Sequence, residues 1–431
     1  MKHHDTPTPT AARRRSLRAC TLAASAVALL LPQALPGGTA SAATPDAGAR
    51  ELGARESQGV AAVTYDLGDQ AYRLPGTGEP VEIAAIVHYP KDLGAAPRPL
   101  VVQLHGWHET CADRAAAAAR SAAERAQDWD AYEAASRKLF SWPCAPGTRP
   151  IANERGYDYL GRQLAARGFI VVSIRANGIN AASVWGDENA SARSDLINKH
   201  LALWQRLSTA GRGGLVGAFR DAATGKPQPV DFRRRVDLNK VGTMGHSRGG
   251  AGVTWQAADR HKAQWPAGVK VRAVMALAPA YNVMTEDMSA YEITRTPVAV
   301  MRGTCDGQVG REALSFAADA TAKSTAGFHQ VEIHGANHNY FNTRWSPAGG
   351  EVAARDDAGH DADHPGQCAE PGGSAYEPQL TEAGQRRVGA AYIDAFFRRY
   401  LTGDERFDGV LTGKRHPMAH IARVDVTARR R

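Results

Sequence analysis

No apolar run in this 431-residue sequence reaches the roughly 20 residues that a helix needs to cross a bilayer, and the stretch from Leu22 to Leu31 stops at Pro32. A stable membrane span after processing is therefore not expected. Internal repeats are missing too, which excludes solenoid and propeller arrays. Large excess charge is lacking once the start of the chain is set aside. Arg13-Arg14-Arg15, the apolar stretch after it and Ala40-Ser41-Ala42 read as a secretory signal peptide over residues 1–42. Arg14-Arg15-Ser16-Leu17 fits a twin-arginine signal loosely, and the general secretory route is an equal reading. Cys20 precedes the apolar core, which argues against a lipoprotein. Without these residues the net charge falls from +8 to +4, because five cations and one acid are lost, so no nucleic-acid partner is expected. Arg429-Arg430-Arg431 reads as part of a solvated tail.

What is present is apolar material: 43% of residues are hydrophobic, enough for a sizeable core and too many for a disordered or fibrous chain. Gly59 to Tyr65 and Val81 to Tyr89 read as an antiparallel hairpin around the turn signal Pro75-Gly76-Thr77-Gly78. From Pro99 onward strand-length runs alternate with helical patterns. The strands are Leu100 to Leu104, Phe169 to Ile174, Val241 to Met244, Val271 to Leu277, Pro297 to Met301 and Phe328 to Ile333. The helices are Tyr157 to Arg167, Leu196 to Arg206, Arg311 to Ala322 and Gln385 to Leu401. Such alternation predicts one α/β domain over residues 43–403, a mostly parallel central sheet flanked by helices. Two segments exceed a minimal sheet and read as insertions: 109–155, with a helix near Arg114 to Lys138, and 181–235. The stretch from Ala280 to Thr296 is too short for a large lid, and residues 404–431 read as a C-terminal tail.

Gly245-His246-Ser247-Arg248-Gly249 is a weak motif alone, but it follows the apolar Val241-Gly242-Thr243-Met244 and opens the small-residue helix Gly250 to Ala257. A nucleophile elbow needs that strand-turn-helix context, and its glycines keep side chains out of a tight corner. Serine is a poor nucleophile unless a base is within reach and an acid orients the base. Asp306 follows the strand ending at Met301, and His338 follows the strand ending at Ile333. In a parallel sheet the loops after successive strands emerge on one edge, so Ser247, Asp306 and His338 can converge as catalytic residues. Asp287 and His334 are the lesser competitors. The oxyanion donors expected are the amides of Arg248 and Trp107, and His105, Gly106 and Trp107 form the expected substrate-binding loop.

His334 with His338, and His360 with His364, have a spacing that joins metal ligands only on a helix. Gly335, Gly359 and Pro365-Gly366 argue for loops, so no metal is expected and no cofactor is required. A surface calcium at Asp356 to His364 is the weak alternative. Cys111, Cys144, Cys305 and Cys368 remain after processing, an even number in an exported chain, and they allow three disulfide pairings. Cys111 with Cys144 and Cys305 with Cys368 are favoured. The first would staple the inserted segment, and the second would tie the Asp306 loop to a later excursion. Free buried thiols are the other reading.

The elbow, the His105-Gly106 loop, and Asp306 and His338 in that order resemble the α/β-hydrolase superfamily. Trp142-Pro143-Cys144, Tyr157-Asp158-Tyr159-Leu160, Ala176-Asn177-Gly178-Ile179-Asn180 and Ala336-Asn337-His338-Asn339 resemble secreted actinobacterial hydrolases of the dienelactone hydrolase, cutinase and polyester hydrolase branch. The resemblance runs from about Gly59 to Leu401. It implies a secreted serine esterase acting on a small-molecule or polymeric ester, with Ser247 as nucleophile, His338 as base and Asp306 as orienting acid. The polyester hydrolases lack an insertion like Cys111 to Cys144. A peptidase or acyltransferase with the same triad is one alternative, and a non-catalytic binding module is another.

Overall fold

Short runs of β-branched and aliphatic residues, each bounded by glycine, proline or a polar turn, give this chain its sheet. The computed structural model describes residues 59–182, 184–281, 287–349, 352–354, 363–369 and 373–429. The signal-peptide reading of residues 1–42 and His360 of the second histidine pair lie outside them.

Strands β1 (Val60–Asp66) and β4 (Ala84–Pro90) pair antiparallel, with β2 (Tyr72–Arg73) and β3 (Pro80–Val81) forming a small ladder in their connection. The frame continues with β5 (Arg98–Leu104), β6 (Ile170–Ile174), β7 (Arg220–Asp221), β8 (Val236–His246), β9 (Val271–Leu277), β10 (Val298–Gly303) and β11 (Phe328–Ile333). A second small ladder joins β12 (Gln367–Ala369) to β13 (Tyr376–Pro378), and β14 (Val424–Arg429) follows near the C-terminus. Ten strands form one sheet in the order β14-β11-β10-β9-β8-β5-β6-β4-β1-β7. The six from β11 to β6 in that order are parallel, and antiparallel strands finish both edges.

The parallel strands are covered on both faces. Leu100, Val102, Ile170 and Val172 belong to one core cluster and Val101 and Val171 to the other, which is the period-two alternation of a strand buried on two sides. Helices α1 (Arg114–Ala126), α2 (Trp129–Leu139), α3 (Asp158–Ala166), α4 (Asn177–Ala181), α5 (Gly186–Ala210), α6 (Arg248–Ala257), α7 (Glu312–Ala320), α8 (Glu382–Thr402) and α9 (Asp408–Leu411) fill the connections and the C-terminal part. No helix among the described residues is long and apolar enough to cross a membrane.

Three expectations change. The helix foreseen near Arg114 to Lys138 is two helices, broken where Gln127 takes φ 55° and each capped by an aspartate, Asp113 and Asp128. The segment 181–235 is no mere insertion, because α5 is the crossover that parallel β6 and β8 require. Residues 404–429 are no mere tail: α9 packs on α8, and β14 pairs along all of β11 as an edge strand. Arg429 lies in that strand and donates to Ala318 O at 3.1 Å and Thr321 Oγ1 at 2.9 Å. The two favoured disulfides are present, Cys111–Cys144 and Cys305–Cys368.

Candidate active site

The turn from β8 into α6 places Ser247 at φ 57° and ψ −127°, a region that costs a non-glycine residue of order 1–3 kcal/mol. The corner is held by its packing. A Cβ on Gly245 would fall 1.9 Å from Gly249 O, and one on Gly249 would fall 2.6 Å from Leu104 O. The Ser247 N–H donates to Leu277 O at 2.9 Å, while its carbonyl accepts from Gly250 at 2.8 Å and Ala280 at 3.0 Å. Ser247 itself is buried, only 4% exposed.

Asp306 and His338 come together as their positions after β10 and β11 foretell. His338 Nδ1–H donates to Asp306 Oδ2 at 2.8 Å, and both side chains are buried. Asp306 Oδ1 accepts from the amides of Gln308 at 2.9 Å and Val309 at 2.7 Å, which fixes the carboxylate in place. The two loops are also pinned to each other through Cys305 N–H to Ala336 O at 2.9 Å. Gln385 on α8 clamps the residue before His338, accepting from Asn337 N–H at 2.9 Å and donating to Asn337 O at 2.7 Å.

His246, the residue before Ser247, links the pair to the elbow. Its ring centroid lies 4.8 Å from that of His338 and 4.8 Å from that of Trp345. Tyr157 OH meets its Nδ1 at 2.9 Å, and burial holds it well below the usual histidine pKa, so the ring is neutral. His338 is thereby packed against the residue that carries Ser247.

The loop after β5 closes the other side. A Cβ on Gly106 would lie 2.4 Å from Ser247 Cβ and 2.6 Å from His246 O, so this backbone abuts the serine directly. Asn180 Nδ2 donates to Gly106 O at 3.0 Å and to His108 O at 3.1 Å. In a trans peptide the N–H points opposite to the C=O, so the Trp107 N–H faces away from Asn180. Among the described residues neither the Trp107 nor the Arg248 amide donates to a main-chain carbonyl.

Behind the loop lies Arg193 of α5, wholly buried, which donates to His105 O at 3.1 Å, Asn180 Oδ1 at 2.6 Å and Asn189 Oδ1 at 2.9 Å. No carboxylate pairs with it among the described residues, and burial followed by the nearby Arg248 charge pushes its pKa down to about 9. His105 is a correction to the expected binding loop. Its Nε2 accepts from Ala176 N–H at 2.8 Å and its Nδ1–H donates to Gly106 O at 2.9 Å, so it braces the loop from inside and offers nothing to a ligand.

The competitors lie elsewhere. His334 binds Glu377 at 2.9 Å and Asp425 at 2.8 Å, and Asp287 caps Ser289 at 2.9 Å. His334 and His338 thus turn to different carboxylates, and no metal-binding cluster of three or more His, Cys, Asp or Glu side chains occurs among the described residues.

No protein-family model matches this chain, and no curated protein matches it either. The site therefore rests on its own geometry. A strained serine, a carboxylate-oriented imidazole packed on the residue before it, and the amides of Trp107 and Arg248, which donate to no main-chain carbonyl among the described residues, are parts that can activate a hydroxyl and stabilise an oxyanion.

Proposed function

We propose that this chain is a secreted serine hydrolase of the α/β-hydrolase fold that cleaves carboxylic esters without a cofactor. The observation that carries the reading is the 2.8 Å contact from His338 Nδ1 to Asp306 Oδ2, held against the strained elbow of Ser247. With Nδ1 committed to Asp306, Nε2 is the nitrogen that takes the Ser247 hydroxyl proton as Oγ attacks the ester carbonyl. The oxyanion so formed is met by the amides of Trp107 and Arg248. Collapse expels the alcohol, which takes the proton from His338 and leaves an acyl-serine. Water then gives a proton to His338 and attacks the acyl carbon, releasing the acid and restoring Ser247. Asp306 holds the tautomer and offsets the imidazolium charge throughout.

Export is supported by the leader pattern together with the two disulfides, a bond type favoured in oxidising compartments. The test is Ser247→Ala. It is expected to eliminate turnover of p-nitrophenyl esters and labelling by a fluorophosphonate while leaving the melting temperature within a few degrees. Turnover at the wild-type rate overturns the reading. Faster cleavage of anilides than of matched esters would instead assign a peptidase.

A further inference from the structure

Arg248, the residue after Ser247, holds its guanidinium over two indoles, 4.9 Å from the Trp107 ring centroid and 4.4 Å from that of Trp185. Trp107 is backed in turn by Phe140, with ring centroids 4.5 Å apart and planes within 9° of parallel. Phe140 comes from the stapled segment between Cys111 and Cys144, and Trp185 immediately precedes α5, so two separate excursions build one stack. The rims are open, Trp107 being 38% and Trp185 61% exposed.

Such a stack fixes the cation without neutralising it. Contacts through ring faces leave guanidinium N–H groups uncommitted, a fork whose spacing matches a carboxylate. Among the described residues no carboxylate lies within ion-pair distance of Arg248 and no hydrogen bond leaves its side chain. The buried Arg193 lies close enough for the Arg248 charge to disfavour its own. A guanidinium held at an open rim with no ion-pair partner among the described residues attracts anions.

We propose that the Arg248 clamp, with Trp107 and Trp185, is a carboxylate-binding subsite that selects esters carrying a second, free carboxylate, such as the hemiesters of dicarboxylic acids. The inference rests on the serine esterase reading for its catalytic consequence. The clamp itself stands on the stacking geometry. Hydrolysis of a hemiester at Ser247 consumes one water and yields an alcohol and a dicarboxylate whose distal carboxylate stays on the clamp, so the acid product competes with substrate.

The test pairs each 4-nitrophenyl hydrogen ester, in a series from glutarate to suberate, with its uncharged methyl ester. A charge-assisted bidentate contact predicts a preference for the anion of about tenfold or more in kcat/KM for at least one chain length. That preference is expected to shrink at about 1 M salt, where the screening length is about 3 Å. It is expected to vanish in Arg248→Gln and persist in part in Arg248→Lys. Equal kcat/KM for anionic and neutral esters across the whole wild-type series overturns the proposal, as does an Arg248→Gln enzyme that loses the same factor on both. Calorimetric binding of ethyl hydrogen adipate to Ser247→Ala separates the two readings, because it needs no catalysis. Binding there that disappears in Ser247→Ala/Arg248→Gln upholds the clamp even if the esterase reading fails, and its absence in Ser247→Ala refutes the clamp even if ester turnover is intact.

Discussion

Gly106→Ala adds a single methyl at the point where the loop after β5 touches the serine. Its Cβ would sit 2.4 Å from Ser247 Cβ and 2.6 Å from His246 O, against an ordinary contact of about 3.5–4.0 Å. Neither neighbour is the free end of a flexible side chain, so the loop must retreat by about 1 Å. Overpacking of this kind costs roughly 1–3 kcal/mol of stability. The larger effect is on rate. A displacement of about 1 Å carries the Trp107 amide away from the oxyanion and is expected to lower kcat about 100-fold. Michaelis kinetics on a short-chain p-nitrophenyl ester, beside a denaturant titration, read the two effects separately. Gly76→Ala is the matched control, since nothing lies within 4 Å of its Cβ, and it should move stability by no more than about 0.5 kcal/mol. A Gly106→Ala enzyme with the wild-type kcat refutes the placement of this loop at the reacting carbonyl. Wild-type stability as well would refute the contact itself.

Asp306→Asn should lower kcat by about 10⁴-fold with the fold intact, because an amide favours the wrong tautomer of His338; a loss under tenfold would show that Asp306 does not orient the base. Arg193→Met strands His105 O, Asn180 Oδ1 and Asn189 Oδ1. With each lost bond worth about 1–3 kcal/mol, a destabilisation near 4 kcal/mol is expected in urea titration, and under 1 kcal/mol would contradict it. Burial pushes His88, His105 and His200 down to about 3. Their folded pKa values lie below the unfolded value of about 6.5, so the unfolded chain takes up protons that the native one refuses. Their contribution to stability is whole above pH 6.5 and lost as the pH falls toward 3, at up to about 1.4 kcal/mol per pH unit for each histidine. Urea midpoints at pH 7.5 and 5.0 should differ strongly, and equal midpoints would exclude the effect. Cys368→Ser opens a loop of sequence separation 63 and should cost about 4 kcal/mol by calorimetry, a value that wild-type melting would contradict.

Ser247, Asp306 and His338 were legible because each follows a strand whose apolar run is easy to read, and parallel topology gathers such positions on one edge. The braces around them were not. Arg193 sits in Ala192-Arg193-Ser194-Asp195, a polar stretch of α5 with no apolar signature of burial, and its partner His105 lies 88 residues away. His246 reads as the free position of the elbow motif, yet its ring is the surface against which His338 packs. Gln385 reads as an ordinary residue of a helix start. Gln127 breaks a helix with neither glycine nor proline to announce it. The strand β14 went unread because only Val424 of its six residues is fully buried, the weak alternation of a sheet edge. A signal for Asn180 did exist, in the Ala176 to Asn180 segment, although its role in holding Gly106 O required the fold.

Cys305 and Cys368 close a covalent ring that contains both Asp306 and His338, while Ser247 lies outside it. The serine corner carries no covalent tether of this kind, whereas the loops of the acid and the base sit in a ring of chain that the disulfide closes in addition to their main-chain contacts. If the chain is the exported hydrolase proposed above, closing this ring would follow its arrival in an oxidising compartment and leave acid and base covalently confined together.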